Sequence, residues 1–429
     1  MKRKLYDRLL EWKKDEHRKP LVLNGVRQCG KTYLLKEFGK NEFQSLAYIT
    51  CDCNQELSRL FEADFEVNRI IRGISALSGV DIMPGKTLIF LDEVQAQPRV
   101  LESLKYFCED APAYHVAVAG SLLGVALHSG VFFSVGEVNT MRLYPMDFEE
   151  FLMAKGETQL LGIMRDKDWG LMSALHEKLK DLLRQYYFVG GMPEVVKIYV
   201  EDGMLQKVRS LQLEILSNYA GDFSKHAPSQ EVPRIDMVWQ SLLGQLSKEN
   251  KKFVYGVLKK GGRAKEFELA IQWLVDAGLV YKVNRCKKPE LPLKFYEDLS
   301  AFKLYMSDCG LMGAMADTSA AKVLIGDGVF KEYKGAFTEQ YVLQQLLSSG
   351  VSNVYYYSAD DSRMEMDFLV QRDGELCPIE VKAEGNVRAN SLHNYLMQHP
   401  EIHALRYSML PYAKQLNMTN VPLYMVGME

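Results

Sequence analysis

The sequence predicts an α/β fold around a parallel sheet, and three observations carry that expectation. Residues 21–32, LVLNGVRQCGKT, read as a buried apolar strand, a glycine loop and a helix start. Residues 87–94, TLIFLDEV, form an aliphatic run that delivers Asp92 and Glu93 to the carboxyl end of a strand, where open α/β sheets place their ligands. Residues 114–121, YHVAVAGS, supply a further apolar strand that ends in the polar Ser121. Helical patterns separate these strands, as parallel pairing requires.

The glycine loop comes first because its spacing has a chemical meaning. Gly25 and Gly30 bracket Val26, Arg27, Gln28 and Cys29, and Lys31, Thr32 and Tyr33 follow, which fills every position of the pattern G-x-x-x-x-G-K-S/T. The glycines let a row of backbone N–H groups turn inward around a phosphate, and the helix starting near Lys31 aims its partial positive end at the same place. Lys31 adds a point charge for the outer phosphates, and Thr32 offers a hydroxyl to a magnesium ion. Asp92 fits the second magnesium-positioning group and Glu93 the base that orients an attacking water. The expected ligand is ATP with Mg²⁺.

At 429 residues the chain calls for about three domains rather than one core. Hydrophobic residues make up 47% and charged residues 25%, a globular composition, and the net charge of -3 excludes a wholly basic nucleic-acid binder. Basic patches remain at 248–252, 259–265 and 285–288, which suit either a solvated face or contact with a nucleic-acid backbone. Apolar runs fall short of the roughly 20 residues that span a bilayer, and the first 19 residues lack a signal-peptide stretch, so a cytoplasmic location without a membrane is expected. Those first residues, with Leu5, Leu9, Leu10 and Trp12 among charges, read as an amphipathic helix packed on the nucleotide domain. LAYITCDC at 46–53 reads as the second strand, with Cys51 and Cys53 as reduced thiols on one of its faces, and a helical region with Leu57, Leu60, Phe61, Phe65 and Ile70 follows. The seven cysteines are scattered and suggest no zinc site.

The order of these elements resembles P-loop ATPases of the AAA and STAND group, in which a strand is inserted between the two Walker motifs and a polar sensor tips the next one. That resemblance makes Ser121 the sensor candidate; its alternative role is the N-cap of the helix starting LLGVAL. Residues 135–154, VGEVNTMRLYPMDFEEFLMA, resemble the end of the core domain in a large bacterial and archaeal family of AAA-type ATP-binding proteins with a carboxy-terminal domain of unknown function. Members of that family usually carry a basic residue after the glycine before this strand. Here Gly136 is followed by Glu137, which removes the obvious arginine-finger position and leaves Arg142 as a substitute. Residues 155–228 read as helices with Tyr186, Tyr187 and Phe188 in their core. FVGGMPEVV at 188–196 resembles the Gly-x-Pro element of STAND-type lids, which would put Gly191 and Pro193 near the nucleotide base; a simple helix stop and restart is the alternative.

Helices, then two strands joined by KKPELP at 287–292, give 232–312 the rhythm of a winged helix, whose helix 264–277 carries Glu266, Glu268 and Asp276 beside its basic residues. It suits either DNA or protein contact. The last hundred residues place Glu339 on a helix, Asp367 in RMEMDFLV at 363–370, and Glu380 and Lys382 in CPIEVKA at 377–383. Alternation along that strand points Glu380 and Lys382 to one side. This set resembles the PD-(D/E)xK nuclease core, a restriction-endonuclease-like α/β fold. The resemblance implies that Glu339, Asp367 and Glu380 hold a second divalent metal, Mg²⁺ or Mn²⁺, while Lys382 acts on the attacking water. The expected organisation is a P-loop AAA core at 1–146, a helical lid at 147–230, a winged helix at 231–325 and the nuclease-like domain at 326–429. The expected function is an ATP-hydrolysing switch or motor acting on nucleic acid, DNA first. Its rivals are a nuclease gated by the ATPase and an ATP-controlled scaffold that binds a protein partner, and assembly into an oligomer fits each.

Overall fold

The computed structural model describes residues 1–128, 136–248, 251–319, 331–359, 364–383 and 390–429. It divides into two compact units, Met1–Tyr144 with Trp273–Leu279, and Pro145–Gln272 with Val280–Glu429. The expected boundary at 325/326 lies outside the described residues, as do Val135, Glu249 and Arg363 of the segments singled out above.

In the first unit the strands are β1 (Leu21–Asn24), β2 (Ser45–Thr50), β3 (Thr87–Asp92), β4 (His115–Gly120) and β5 (Asn139–Arg142). All pair in parallel, in the order β2-β3-β4-β1-β5. β4 therefore lies between the glycine-loop strand β1 and the acidic strand β3, whereas β2, which falls between those two in sequence, lies at the edge of the sheet beside β3. Every residue of β3 and β4 is buried, because helices cover both faces of a parallel sheet and the strands become continuous apolar runs. Leu91 and Val118 join Phe61, Ile70, Leu104 and Phe107 in one core cluster. The helices Gln55–Ala63 and Val67–Ser78 that supply this apolar face start at side-chain caps, Asn54 accepting from the Leu57 N–H and Glu66 from those of Asn68 and Arg69. The amino-terminal helix Leu5–Lys14 buries Leu9 and Trp12, and Trp12 meets the His115 ring edge-on at 5.7 Å. One expectation fails locally: β2 stops at Thr50, Cys51 is buried, and Cys53 is exposed with φ +54°, so the two thiols share no strand face.

In the second unit a mixed sheet runs β12-β13-β11-β10-β9-β8-β6-β7. Its strands are β6 (Val280–Cys286), β7 (Glu297–Met306), β8 (Tyr355–Ser358), β9 (Glu365–Arg372), β10 (Glu375–Lys382), β11 (Ala404–Ser408), β12 (Ala413–Lys414) and β13 (Met418–Pro422). The antiparallel pair β6–β7 is the hairpin expected as the wing of a separate domain. Instead β6 pairs in parallel with β8, Asn284 opposite Tyr355, and so the hairpin belongs to the same sheet as the terminal strands.

The lid and terminal segments and the wing segment apart from Trp273–Leu279, expected as separate domains, fall in one compact unit for a reason carried by the helix Lys331–Ser348. Its buried glutamines satisfy backbone groups of distant segments. Gln340 accepts from the Met306 N–H at 2.8 Å and donates to the Met306 carbonyl, Gln344 accepts from the Cys309 N–H at 3.1 Å, and Gln345 accepts from the Phe148 N–H at 2.8 Å. Buried amides of this kind are costly unless fully paired, so they fix one packing. The FVGGMP tract is built into the same core. The Asp308 carboxylate accepts from the Gly191 N–H at 2.6 Å and the Leu311 N–H at 2.9 Å, and the Gly191 carbonyl accepts from the Met146 N–H at 2.6 Å. A Cβ at Gly191 would stand 2.0 Å from the Met146 carbonyl oxygen, so this glycine is demanded by close backbone packing. Pro193 sits in the first turn of the helix Pro193–Asp202, and Tyr186, Tyr187 and Phe188 are buried.

Candidate functional site

The glycine loop leaves β1 at Asn24, whose side chain accepts from the Gly25 N–H at 2.7 Å. A Cβ at Gly25 would lie 2.3 Å from the Leu143 carbonyl oxygen, so the loop can run this close to the neighbouring chain only with glycine. Gly30 (φ +95°) and Gln28 (φ +66°) take left-handed torsions that curl the loop before the helix Lys31–Glu42 begins. The Lys31 ammonium folds back over the loop and donates to the Gly25 carbonyl at 2.8 Å and the Val26 carbonyl at 3.0 Å. Arg3, which the sequence pattern does not single out, braces the loop from outside by donating to the Cys29 carbonyl at 2.8 Å and the Tyr144 carbonyl at 2.6 Å. Val26 and Cys29 are buried, and Tyr33 stands exposed on the first helical turn.

Asp92, at the end of β3, meets the loop directly. Thr32 Oγ1 donates to Asp92 Oδ2 at 2.8 Å, the Glu93 N–H donates to Oδ1 at 3.1 Å, and the Tyr48 hydroxyl approaches Oδ2 at 3.5 Å. Burial raises the Asp92 pKa above the ordinary carboxylate value, and the Thr32 hydrogen bond opposes that rise. Glu93 takes a left-handed torsion, φ +53°, that turns its carboxylate out of the strand. There Gln95 Nε2 donates to Glu93 Oε2 at 2.6 Å, and Ser121 Oγ lies 3.4 Å from Glu93 Oε1. The Gln95 Oε1 is buried without a partner among the described residues. Lys31, Thr32, Asp92, Glu93 and Ser121 are thus brought together. Gln95 is the residue that sequence reasoning missed, although its place two residues beyond Glu93 was the available signal.

These residues fit a magnesium nucleotide. A cradle too narrow for a side chain at Gly25, an ammonium satisfied for now by loop carbonyls, and a hydroxyl already bonded to a buried carboxylate form a donor set for phosphate and a hard cation. Arg142 ends β5 with its guanidinium 5.3 Å from the Tyr144 ring, and Glu137 lies beside Cys108, whose thiol is pushed up by burial and by that carboxylate.

The terminal carboxylates also converge, but on cations of the chain itself. Lys382 Nζ and Glu380 Oε1 are 2.5 Å apart on β10, and Asp367 Oδ2 accepts from the Val381 N–H at 2.7 Å. Burial, then Glu339 and Glu380, drive the Asp367 pKa well above the ordinary value. Burial acts to raise Glu339 too, but Lys251 and Lys303 outweigh it and hold that group low. Lys251 forms a buried ion pair with Glu339 Oε1, and the Tyr305 hydroxyl donates to Glu339 Oε2 at 3.0 Å. Lys303, with a side chain 1% exposed, pairs with Glu365 at 3.0 Å. Among the described residues no cluster of three or more His, Cys, Asp or Glu is placed to hold a metal ion. The second-metal expectation for Glu339, Asp367 and Glu380 therefore does not fit: ammonium groups already pair with Glu339 and Glu380. Lys251 and Lys303 were not legible as part of it, because they lie far away in sequence.

Among the described residues no helix is long and apolar enough to cross a membrane. Residues 17–152 match a family described as an AAA domain, while 180–322 and 334–424 match two families described as domains of unknown function, DUF8612 and DUF4143. Comparison with curated proteins gave no match. Among solved structures, the chain is similar to a Walker-type ATPase of Pyrococcus abyssi at 13% identity and TM-score 0.45, covering 73% of this chain and 95% of that one. It is similar to the ORC2 protein of Aeropyrum pernix in its ADP form at 12% identity and TM-score 0.31, covering 75% and 91%. A STAND protein of Pyrococcus horikoshii with a tetratricopeptide repeat sensor is similar at 14% identity and TM-score 0.28, covering 79% and 45%. The glycine loop and the Thr32–Asp92 pair both lie within residues 17–152, which match the AAA domain, and together they support an AAA-type ATPase.

Proposed function

We propose that the chain is an ATP-hydrolysing switch whose second unit is an interaction scaffold for a protein partner. The observation that carries the ATP reading is the convergence of Lys31, Thr32, Asp92 and Glu93 across the loop and the end of β3. Thr32 and Asp92 would hold the magnesium ion, which when bound neutralises charge on the phosphates. Lys31 would exchange its loop carbonyls for phosphate oxygens, and Glu93 would accept the proton of the attacking water once Gln95 yields. Ser121, bonded to Glu93, is the sensor of that carboxylate's position.

The scaffold reading is favoured over action on nucleic acid because each basic patch has a residue committed to a carboxylate of the chain. Lys251 is bonded to Glu339, Lys259 to Glu266 and Arg285 to Asp298, which takes one positive charge of each patch away from phosphates. The test measures ATP turnover and strand integrity with linear and circular DNA and with RNA, in Mg²⁺ and in Mn²⁺. Unchanged turnover and intact nucleic acid support the scaffold. DNA-stimulated turnover replaces it with a nucleic-acid switch, and cleavage abolished by Asp367→Ala replaces it with a gated nuclease.

A further inference from the structure

We infer that the Lys251 ammonium is the resident cation of the Glu339–Asp367–Glu380 pocket, delivered by a fixed strap, so that this pocket takes no divalent metal while Lys251 is in place. Geometry carries the inference. Lys251 is separated from Glu339 by 88 positions, yet its ammonium is bonded to a carboxylate buried beneath it, with side-chain exposures of 15% and 4%. A surface lysine reaching a neighbour by chance would leave most of its stem in water. Here the backbone is committed as well. Lys251 holds a left-handed torsion, φ +50°, which a residue with a Cβ adopts at a cost, and such torsions persist only where surrounding structure imposes them.

The strap that follows supplies that structure. The Phe253 N–H donates to the Phe302 carbonyl of β7 at 2.9 Å, and the two rings stack at 5.3 Å with planes 18° apart. The Val254 N–H donates to Gln245 Oε1 at 3.1 Å, and Gln245 Nε2 donates back to the Val254 carbonyl at 3.0 Å. The chain just after the lysine is thus clamped on both a strand and a helix, and the lysine's ammonium meets Glu339. Around it Lys303 pairs with Glu365 and Lys382 with Glu380, and the Tyr305 hydroxyl donates to the second oxygen of Glu339. Asp367, between them, spends one oxygen on the Val381 N–H. A divalent cation entering this pocket would have to compete with the Lys251 ammonium for Glu339 and would meet its repulsion at close range.

The inference does not depend on the ATP reading, because its test removes that site. The full chain carrying Asp92→Asn, free of nucleotide, is titrated with Mn²⁺ and bound ions are counted by electron paramagnetic resonance. With Lys251 intact, no saturable site tighter than about 1 mM is expected, since carboxylates already matched by ammonium groups offer no net charge to the ion. Lys251→Met in the same background should gain one Mn²⁺ site at least about tenfold tighter, lost again when Asp367→Asn is added. Because removing one member of a buried pair can prevent folding, Lys251→Gln, which keeps a hydrogen bond to Glu339, takes its place if the methionine variant does not fold. A tight Mn²⁺ site with Lys251 present that Asp367→Asn abolishes overturns the inference. So does a folded Lys251 variant that binds no more Mn²⁺ than its parent.

Discussion

Replacing Gln95 by leucine tests how the Glu93 carboxylate is controlled. The Gln95 amide donates to Glu93 Oε2 at 2.6 Å, and its own Oε1 is buried without a partner among the described residues. A hydrogen bond to an ionised group is worth about 1.5–3 kcal/mol, and that is the stabilisation Glu93 must give up before it can accept a proton from water. Leucine has a similar volume and removes an orphaned carbonyl, so the variant should fold with little loss of stability. Freeing Glu93 should raise kcat about tenfold or more, because each 1.36 kcal/mol off the barrier is tenfold in rate. KM should stay within about twofold, since uniform binding by Lys31 and Thr32 is untouched. The assay is steady-state phosphate release with Mg-ATP, with Gln95→Leu/Glu93→Gln as the control that must stay inactive. A folded Gln95→Leu with unchanged or lower kcat refutes the reasoning, because the amide would then present the carboxylate to water rather than restrain it.

His115 supplies a pH test. Burial, then the Arg18 charge, lowers its pKa from 6.5 to about 4, so the folded protein resists a proton that the unfolded chain accepts. Its contribution to stability is complete above pH 6.5 and is lost as pH falls toward about 4, and thermal melts of His115→Phe should show a shallower decline across that window than wild type. An unchanged decline would mean that other groups govern the acid limb. Gly191→Ala would place a Cβ 2.0 Å from the Met146 carbonyl oxygen and should cost about 3 kcal/mol or more in urea unfolding. Wild-type stability would show that the backbone here relaxes freely.

What was legible in the sequence is what is local in the chain. Gly25 to Thr32 and the run ending at Asp92 and Glu93 are short segments whose spacing dictates both structure and chemistry, and the structure places their side chains within bonding reach. The position of β4 between β1 and β3 was not legible, because order along the chain does not fix order in the sheet. The parallel pairing of β6 with β8 was not legible, because Asn284 and Tyr355 find each other across a long stretch of chain and no local signal announces it. Charge was misleading for the same reason. Lys251, Lys259 and Arg285 look like free basic surface when read along the sequence, but each is paired with a carboxylate on another element. The terminal carboxylates converge as expected, whereas the lysines that neutralise them, Lys251 and Lys303, enter from segments that precede the whole motif. Cys51 and Cys53 were misplaced because β2 ends one residue before the first of them.

The most direct test of the central claim compares ATP binding and turnover in wild type, Lys31→Ala and Glu93→Gln. Equilibrium binding of labelled ATP with Mg²⁺ and phosphate release are measured on the same preparations. Wild type should bind and hydrolyse. Glu93→Gln should keep wild-type affinity within about threefold while turnover falls at least about 100-fold, because its amide accepts no proton. Lys31→Ala should lose binding, since the ammonium that now rests on the Gly25 and Val26 carbonyls is the charge meant for phosphate. Equal ATP affinity in wild type and Lys31→Ala, or full turnover in Glu93→Gln, would contradict the account.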